Sequence, residues 1–442
     1  MKTFKLSMLV LFSIGLTLNF TGCLEDECTE TSQYYIWEPV YMSFEELRSQ
    51  FQIEAPRELN NPGKIYFYDN YIFISEPNEG IHTIDNSDPT NPTPVNFMNI
   101  PGNRDMAVKN GRLYADNLID LLVIDITSPE QPALTARTEN VFVDYNAHGD
   151  LGYLIDYKNT LETQEFDCQS NFGPDGWIWC GTGYVDHAIF ASADFSFAAA
   201  NSSSTGPFLS ASASSSVPSV SVGVGGSFAR FTISKNHLYA VSEFDLSTFD
   251  LSDCDEPSHL GATHIGWGIE TIFPLGENLF IGSNSGMFIY SIENASEPLL
   301  LSQFQHARAC DPVYVVGNKA YVTLRDGNQC GGFVNQLDVI DVSVLTDPQL
   351  ITSYNMEHPH GLSIQGDNLY LCEGVHGIKV FDKSDDFAIA ENQLSMIEDL
   401  HAYDIITLPN QHAMIIGDDG LYQYDITDPT DLKELSRISV NR

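Results

Sequence analysis

The segment Leu121–Pro132 reads LLVIDITSPEQP: an almost wholly apolar strand that ends on an acid, then a polar turn, then proline. The same shape returns as IHTIDNSDPTNP from Ile81, LSTFDLSDCDEP from Leu246 and MFIYSIENASEP from Met287. It returns again as LDVIDVSVLTDP from Leu337, IKVFDKSDDFAI from Ile378 and LYQYDITDPTDL from Leu421. The fifth position is aspartate in six of the seven copies, at Asp85, Asp125, Asp250, Asp341, Asp382 and Asp425, and Ser291 is the exception. The starts are 40, 125, 41, 50, 41 and 43 residues apart. A period near 41 residues is the signature of a solenoid, a propeller or an array.

One copy with its flanks shows what the unit is. Asp105–Val108 is short and apolar, and Asn110-Gly111 favours a tight hairpin into Leu113–Asp116. Leu121–Ile126 is a third strand, apolar throughout as expected when both faces are covered. Asp125 can accept the N–H groups of the turn behind it. Pro132 opens a fourth strand, which belongs at an edge because proline donates nothing to a ladder. Four antiparallel strands per unit predict an all-β fold, a seven-bladed β-propeller over residues 61–442 with four-stranded blades. The gap of 125 residues between the second and third copies leaves eight blades as the alternative. Residues 141–228 are read as an insertion, Ser/Gly/Ala-rich over 191–228 and so loop-like. Outside the propeller, Tyr34–Trp37 is expected to add a strand and Ser43–Phe51 a short helix.

The segment Leu122–Asp125, the turns that run from Asp to Pro and the NxLY-type hairpins resemble the LVIVD-repeat family. That resemblance implies a secreted or lipid-anchored β-propeller and says little about biochemical role.

The N-terminus carries its own signal. MKTFK is basic, LSMLVLFSIGLTLNF is apolar but too short to span a bilayer comfortably, and Phe20-Thr21-Gly22-Cys23 resembles a bacterial lipobox. Residues 1–22 are therefore expected to be a lipoprotein signal peptide, with Cys23 lipidated and residues 23–60 an acidic tether and extension. The acidic Leu24–Glu27 behind that cysteine resembles a surface-export signal, which implies a place at the outer membrane on the cell surface. An exported chain favours disulfides, and Cys168–Cys180 and Cys310–Cys330 are the candidate pairs.

With 60 acids against 20 bases and a net charge of −40, the chain is unsuited to nucleic acid, whose phosphates must be met by Lys and Arg. No nucleophile-elbow, zincin, phosphate-loop or dinucleotide motif occurs. Aligning the copies on their second strands places Gly63, Arg104, Ala229, Glu270, Asp311, His360 and Asp404 at the opening of the innermost strands, with Arg230 and Arg308 beside them. The candidate ring is Glu270, Asp311, His360 and Asp404 with Arg104 across from them. Such a ring could hold a divalent cation such as Ca²⁺. Polar residues at a wet channel mouth also need no role beyond hydration. Trp177, Trp179 and Trp267 are candidate contact aromatics. The expected function is a binding or scaffold module for an envelope protein, a peptide or a glycan. The alternative is a propeller hydrolase or lyase with His360 as base.

Overall fold

A computed structural model describes residues 29–144, 146–167, 223–305, 312–326 and 334–440. The candidate lipidation site Cys23, both candidate disulfide pairs, Trp177, Trp179, Arg308 and Asp311 lie outside these. Two compact units are present, Met1–Tyr41 with Leu154–Ser214, and Met42–Tyr153 with Ser215–Arg442. In the smaller unit the long strands Thr29–Met42 and Gly152–Asp167 are neighbours in one sheet, and Tyr35 and Trp37 are exposed on the first. No helix among the described residues is long and apolar enough to cross a membrane.

The larger unit is all-β and propeller-like. Among the described residues it holds seven sheets, each an antiparallel meander of four consecutive strands. Their first strands are Ile65–Tyr68, Met106–Lys109, Phe231–Ser234, Ile269–Leu275, Val313–Val316, Leu362–Gln365 and Asp404–Leu408, and the sheets are numbered one to seven in that order. Sheet one has two additions: Gln52–Glu54 pairs outside Thr93–Asn99, and Val224–Gly225 pairs inside Ile65–Tyr68. The α-helix Phe44–Ser49 starts where Ser43 Oγ accepts the Glu46 N–H at 3.1 Å, and it buries Leu47.

The apolar runs have a direct packing reason. Successive residues of a strand point to opposite faces, so a strand between two neighbours must be apolar on both. In sheet seven, Ala413 and Ile415 join a cluster with Tyr370 and Val380 of sheet six, while Met414 and Ile416 join Ile65, Ile72 and Ile74 of sheet one. Similar clusters join sheets three to four, four to five and five to six, and one larger cluster joins sheets one, two and three. Sheet seven therefore packs on sheet one, and the series closes into a ring.

The recurring motif is what locks that ring. In every copy the fifth-position side chain accepts the backbone N–H two residues on: Asp85, Asp125, Asp250, Asp341, Asp382 and Asp425 at 2.8–2.9 Å, and Ser291 at 3.2 Å. The turn so fixed presents the carbonyl four residues after that position to a side chain of the preceding sheet. The donor–acceptor pairs are Asn96 to Pro129, Tyr114 to Cys254, Tyr239 to Ala295, Ser302 to Leu345, Tyr354 to Asp386 and Ser395 to Pro429. Ser436 donates to Pro89 at 2.6 Å across the seam between sheets seven and one, where Gln423 also reaches Asn86 at 2.7 Å. All seven sheet interfaces carry this bond, each contributing about 0.5–1.5 kcal/mol.

Candidate functional site

The first strands surround a channel of about 300 Å³, lined among others by Tyr66, Phe231, Ile272, Tyr314, Ser363 and Ile405 from six different sheets. The segment Gly223–Ala229, of which 223–228 is grouped with the insertion on composition, runs through this channel. Gly223 donates to Val108 O at 3.0 Å, and the Tyr66 hydroxyl donates to Gly223 O at 3.1 Å. Its glycines reflect lack of room: a Cβ on Gly223 would stand 2.2 Å from the Tyr66 ring, and one on Gly226 would stand 1.8 Å from Asp404 Oδ2.

Strand pairing fixes which residues share a level at the channel mouth. Met106 faces Ala115, Ile272 faces Ile281 and Leu362 faces Leu371, which places Arg104, Glu270 and His360 at one level, two residues before each. In sheet seven Ile405 faces Ile415, so the residue at that level is Tyr403, and Asp404 stands one position further in. The displacement comes from the hairpin. Leu408 pairs with His412 across three residues, whereas Lys109 pairs with Arg112 across two.

Asp404 is accordingly equivalent to Asp105; Asp404 holds the channel segment, and Asp105 holds Arg230 and Phe231 just after it. Asp404 accepts Ser227 N at 3.1 Å, Ser227 Oγ at 2.9 Å, Phe228 N at 3.4 Å and Ile405 N at 3.0 Å. Asp105 accepts Met106 N at 2.8 Å, Phe231 N at 3.0 Å and the N–H of Arg230, and pairs with Lys64 Nζ at 3.2 Å. Burial pushes the Asp404 carboxyl up to about 6 against these hydrogen bonds. Asp116, buried behind Arg104, is likewise pushed up to about 6 although it accepts the N–H groups of Arg104 and Asp105.

His360 belongs to an aromatic cluster. Its Nε2 is 3.2 Å from His358 Nδ1, its ring centroid is 5.0 Å from that of Tyr403, and Tyr403 is 4.5 Å from His401. Arg325 donates to it. Burial, then Arg325 and the two other histidines, push His360 down to about 2, so it is a neutral ring and a feeble base. Among the described residues no group of three or more His, Cys, Asp or Glu is arranged to hold a metal ion.

A pH signature follows from the sign of that shift. The folded pKa of His360 lies below the unfolded value of ~6.5, so its contribution is whole above ~6.5 and is lost as pH falls, at ~1.4 kcal/mol per pH unit. Asp116 and Asp404, raised when folded, work in the opposite direction below about 6. His360→Gln is expected to flatten the decline in stability between about pH 6.5 and 4.5 by about 1 kcal/mol per pH unit, read by urea titration across pH. An unchanged slope would show that the ring does not stay neutral in the folded chain.

Beside the histidines opens a funnel of about 460 Å³, whose wall includes Lys64, Arg104, Arg230, Glu243, Trp267 and Glu270. Trp267 is 69% exposed, and Arg104 forms an ion pair with Asp144 at 3.1 Å. The structure thus brings Arg104, Arg230, Glu270 and Trp267 to one funnel and His360 to the cluster next to it. The sequence reading had no place for Lys64, Asp105, Asp116, Arg325 or Tyr403. It also missed a paired device in sheets one and six. Buried Glu76 accepts Asn60 N and meets His82, while buried Glu373 accepts His358 N and meets Lys379 at 3.1 Å. A shared spacing of six residues between acid and base was its signal.

The family model for the LVIVD repeat matches residues 63–99 and 307–356. No curated protein matches the chain. Among solved structures, the computationally designed Ika8 protein is similar at 10% identity and TM-score 0.49, covering 88% of this chain and 92% of its own. BamB from Moraxella catarrhalis is similar at 6% identity and TM-score 0.46, covering 89% and 97%. A functionally unknown protein from Desulfotomaculum acetoxidans DSM 771 is similar at 11% identity and TM-score 0.49, covering 84% and 95%.

Proposed function

We propose, for a chain that carries LVIVD repeats on a β-propeller-like fold, that it is a seven-bladed, lipid-anchored binding module on the cell surface. Its ligand enters the funnel at the end of the channel. The observation that carries this reading is the funnel itself, a concavity of about 460 Å³ on a closed ring, with an exposed Trp267 and three cationic side chains in its wall. Concave sites of this size with a few convergent polar groups are where small ligands and chain ends bind. The anchor at Cys23 rests on the lipobox resemblance, with residues 23–60 as tether and extension.

One experiment tests both halves. Intact cells expressing the full chain are incubated with a labelled library of oligosaccharides and short peptides. Retention is expected on wild-type cells. Cys23→Ser should move the binding activity into the medium, and Trp267→Ala should abolish it in both places. Retention unaffected by Trp267→Ala, or no retention of any library member, would overturn the reading.

A further inference from the structure

We infer that the funnel binds a carboxylate-bearing sugar, a uronate residue of a glycan. This rests on the binding-module reading above and gives it a ligand class. The starting point is charge. A chain with 20 bases and 60 acids places Lys64, Arg104 and Arg230 in one wall, close enough that Arg230 opposes the charge of Lys64 and Arg104 that of Arg230.

Three of the acids beside these cations, Asp105, Asp116 and Asp144, are already occupied. Asp105 accepts three backbone N–H groups besides Lys64. Asp116 accepts Arg104 N at 2.8 Å, Asp105 N at 2.9 Å and the Asn103 amide at 2.9 Å. Asp144 takes Asn146 N at 2.8 Å and the Tyr153 hydroxyl at 2.9 Å besides Arg104. The cations, by contrast, keep donors in hand. Among the described residues Arg104 uses one nitrogen, on Asp144. Arg230 spends Nε and Nη2 on the carbonyls of Glu270 and Ile269, at 3.3 and 2.9 Å, and Nη1 has no protein partner among the described residues. Unspent guanidinium N–H groups in a partly dry concavity select a carboxylate, which takes two parallel hydrogen bonds.

The rest of the wall narrows the class. Trp267 at the rim offers a flat apolar face on which a sugar ring can lie. The Asn284 amide, which lies over Gly268, and the exposed Glu243 carboxylate can meet hydroxyl groups. Glu243 in the same wall would repel a phosphate or a polysulfate, whereas one carboxylate per sugar ring among hydroxyls suits both signs.

Trigalacturonate, the neutral galactose trimer and acetate are titrated into the purified full chain, with heat and tryptophan fluorescence recorded. Trigalacturonate should bind at least about tenfold more tightly than either of the others, and more weakly as salt rises. Arg104→Gln should remove the preference for the acid, and Trp267→Ala, with its thermal midpoint unchanged, should weaken trigalacturonate by about tenfold or more. Equal affinity for the neutral trimer, indifference to both substitutions, or no binding at about 10 mM trigalacturonate would overturn the inference. A peptide with a free carboxy-terminus binding in its stead, and lost in Trp267→Ala, would overturn the uronate while leaving the binding-module reading in place.

Discussion

Asp404→Ala is expected to lower the stability of the folded chain by about 3–5 kcal/mol, read as a fall in the urea midpoint at unchanged slope. Asp404 is 2% exposed and is the common acceptor for Ser227, Phe228 and Ile405, so its loss strands three N–H groups and a hydroxyl in the channel. Each orphaned donor forfeits about 1–3 kcal/mol. Ser227 is itself a relay, since its hydroxyl accepts Leu362 N at 3.0 Å, so the damage spreads from sheet seven to sheet six. Asp404→Asn keeps one carbonyl acceptor and should cost about half as much. Gly226→Val should act in the same direction, because its Cβ would meet the same carboxylate at 1.8 Å. A loss below about 1 kcal/mol for Asp404→Ala would mean that water replaces the carboxylate, and the channel segment would then not be held by it.

Asp120→Ala is expected to be comparably severe, at about 3–5 kcal/mol. Its side chain is fully buried and receives Arg48 Nε at 2.7 Å, Arg48 Nη2 at 3.0 Å, Arg137 Nη1 at 2.9 Å and Asn140 N at 3.0 Å. Burial alone would raise its pKa, but the hydrogen bonds from Arg48, Asn140 and Arg137 hold it below the usual carboxylate range. Without it, two guanidinium groups, 22% and 13% exposed, lose their shared counter-charge. The helix Phe44–Ser49 then loses its main polar fastening to sheet two, so limited proteolysis should cut near residues 42–55 in the variant first. A wild-type cleavage pattern would show that Leu47 packing alone holds the helix.

The copies at Asp125 and its relatives were enough to read the four-stranded unit, because a turn that caps its own N–H group needs a particular side chain at one place. Even Ser291 keeps the function with a hydroxyl. The channel mouth was legible only in part. Arg104, Glu270 and His360 fell at a common level because their hairpins have equal length. Pro409, Asn410 and Gln411 add one residue to the last hairpin and exchange Tyr403 for Asp404. The segment Gly223–Ser227 looked like a flexible linker because glycine and serine also suit a crowded channel, where any larger side chain would collide. Lys64 gave no signal and Arg230 only a place beside the ring, since what singles them out is that Asp105 next to them is consumed by backbone amides.

The bond from each sheet to the next turn has a direction: one unit always gives and its successor always receives. Two unlike surfaces joined head-to-tail can repeat without limit, and closure then depends on the rotation added by each unit. No single contact therefore encodes how many units the circle holds. A duplicated or deleted unit would find matching neighbours on both sides, and the misfit would be spread as small changes of angle around the whole circumference.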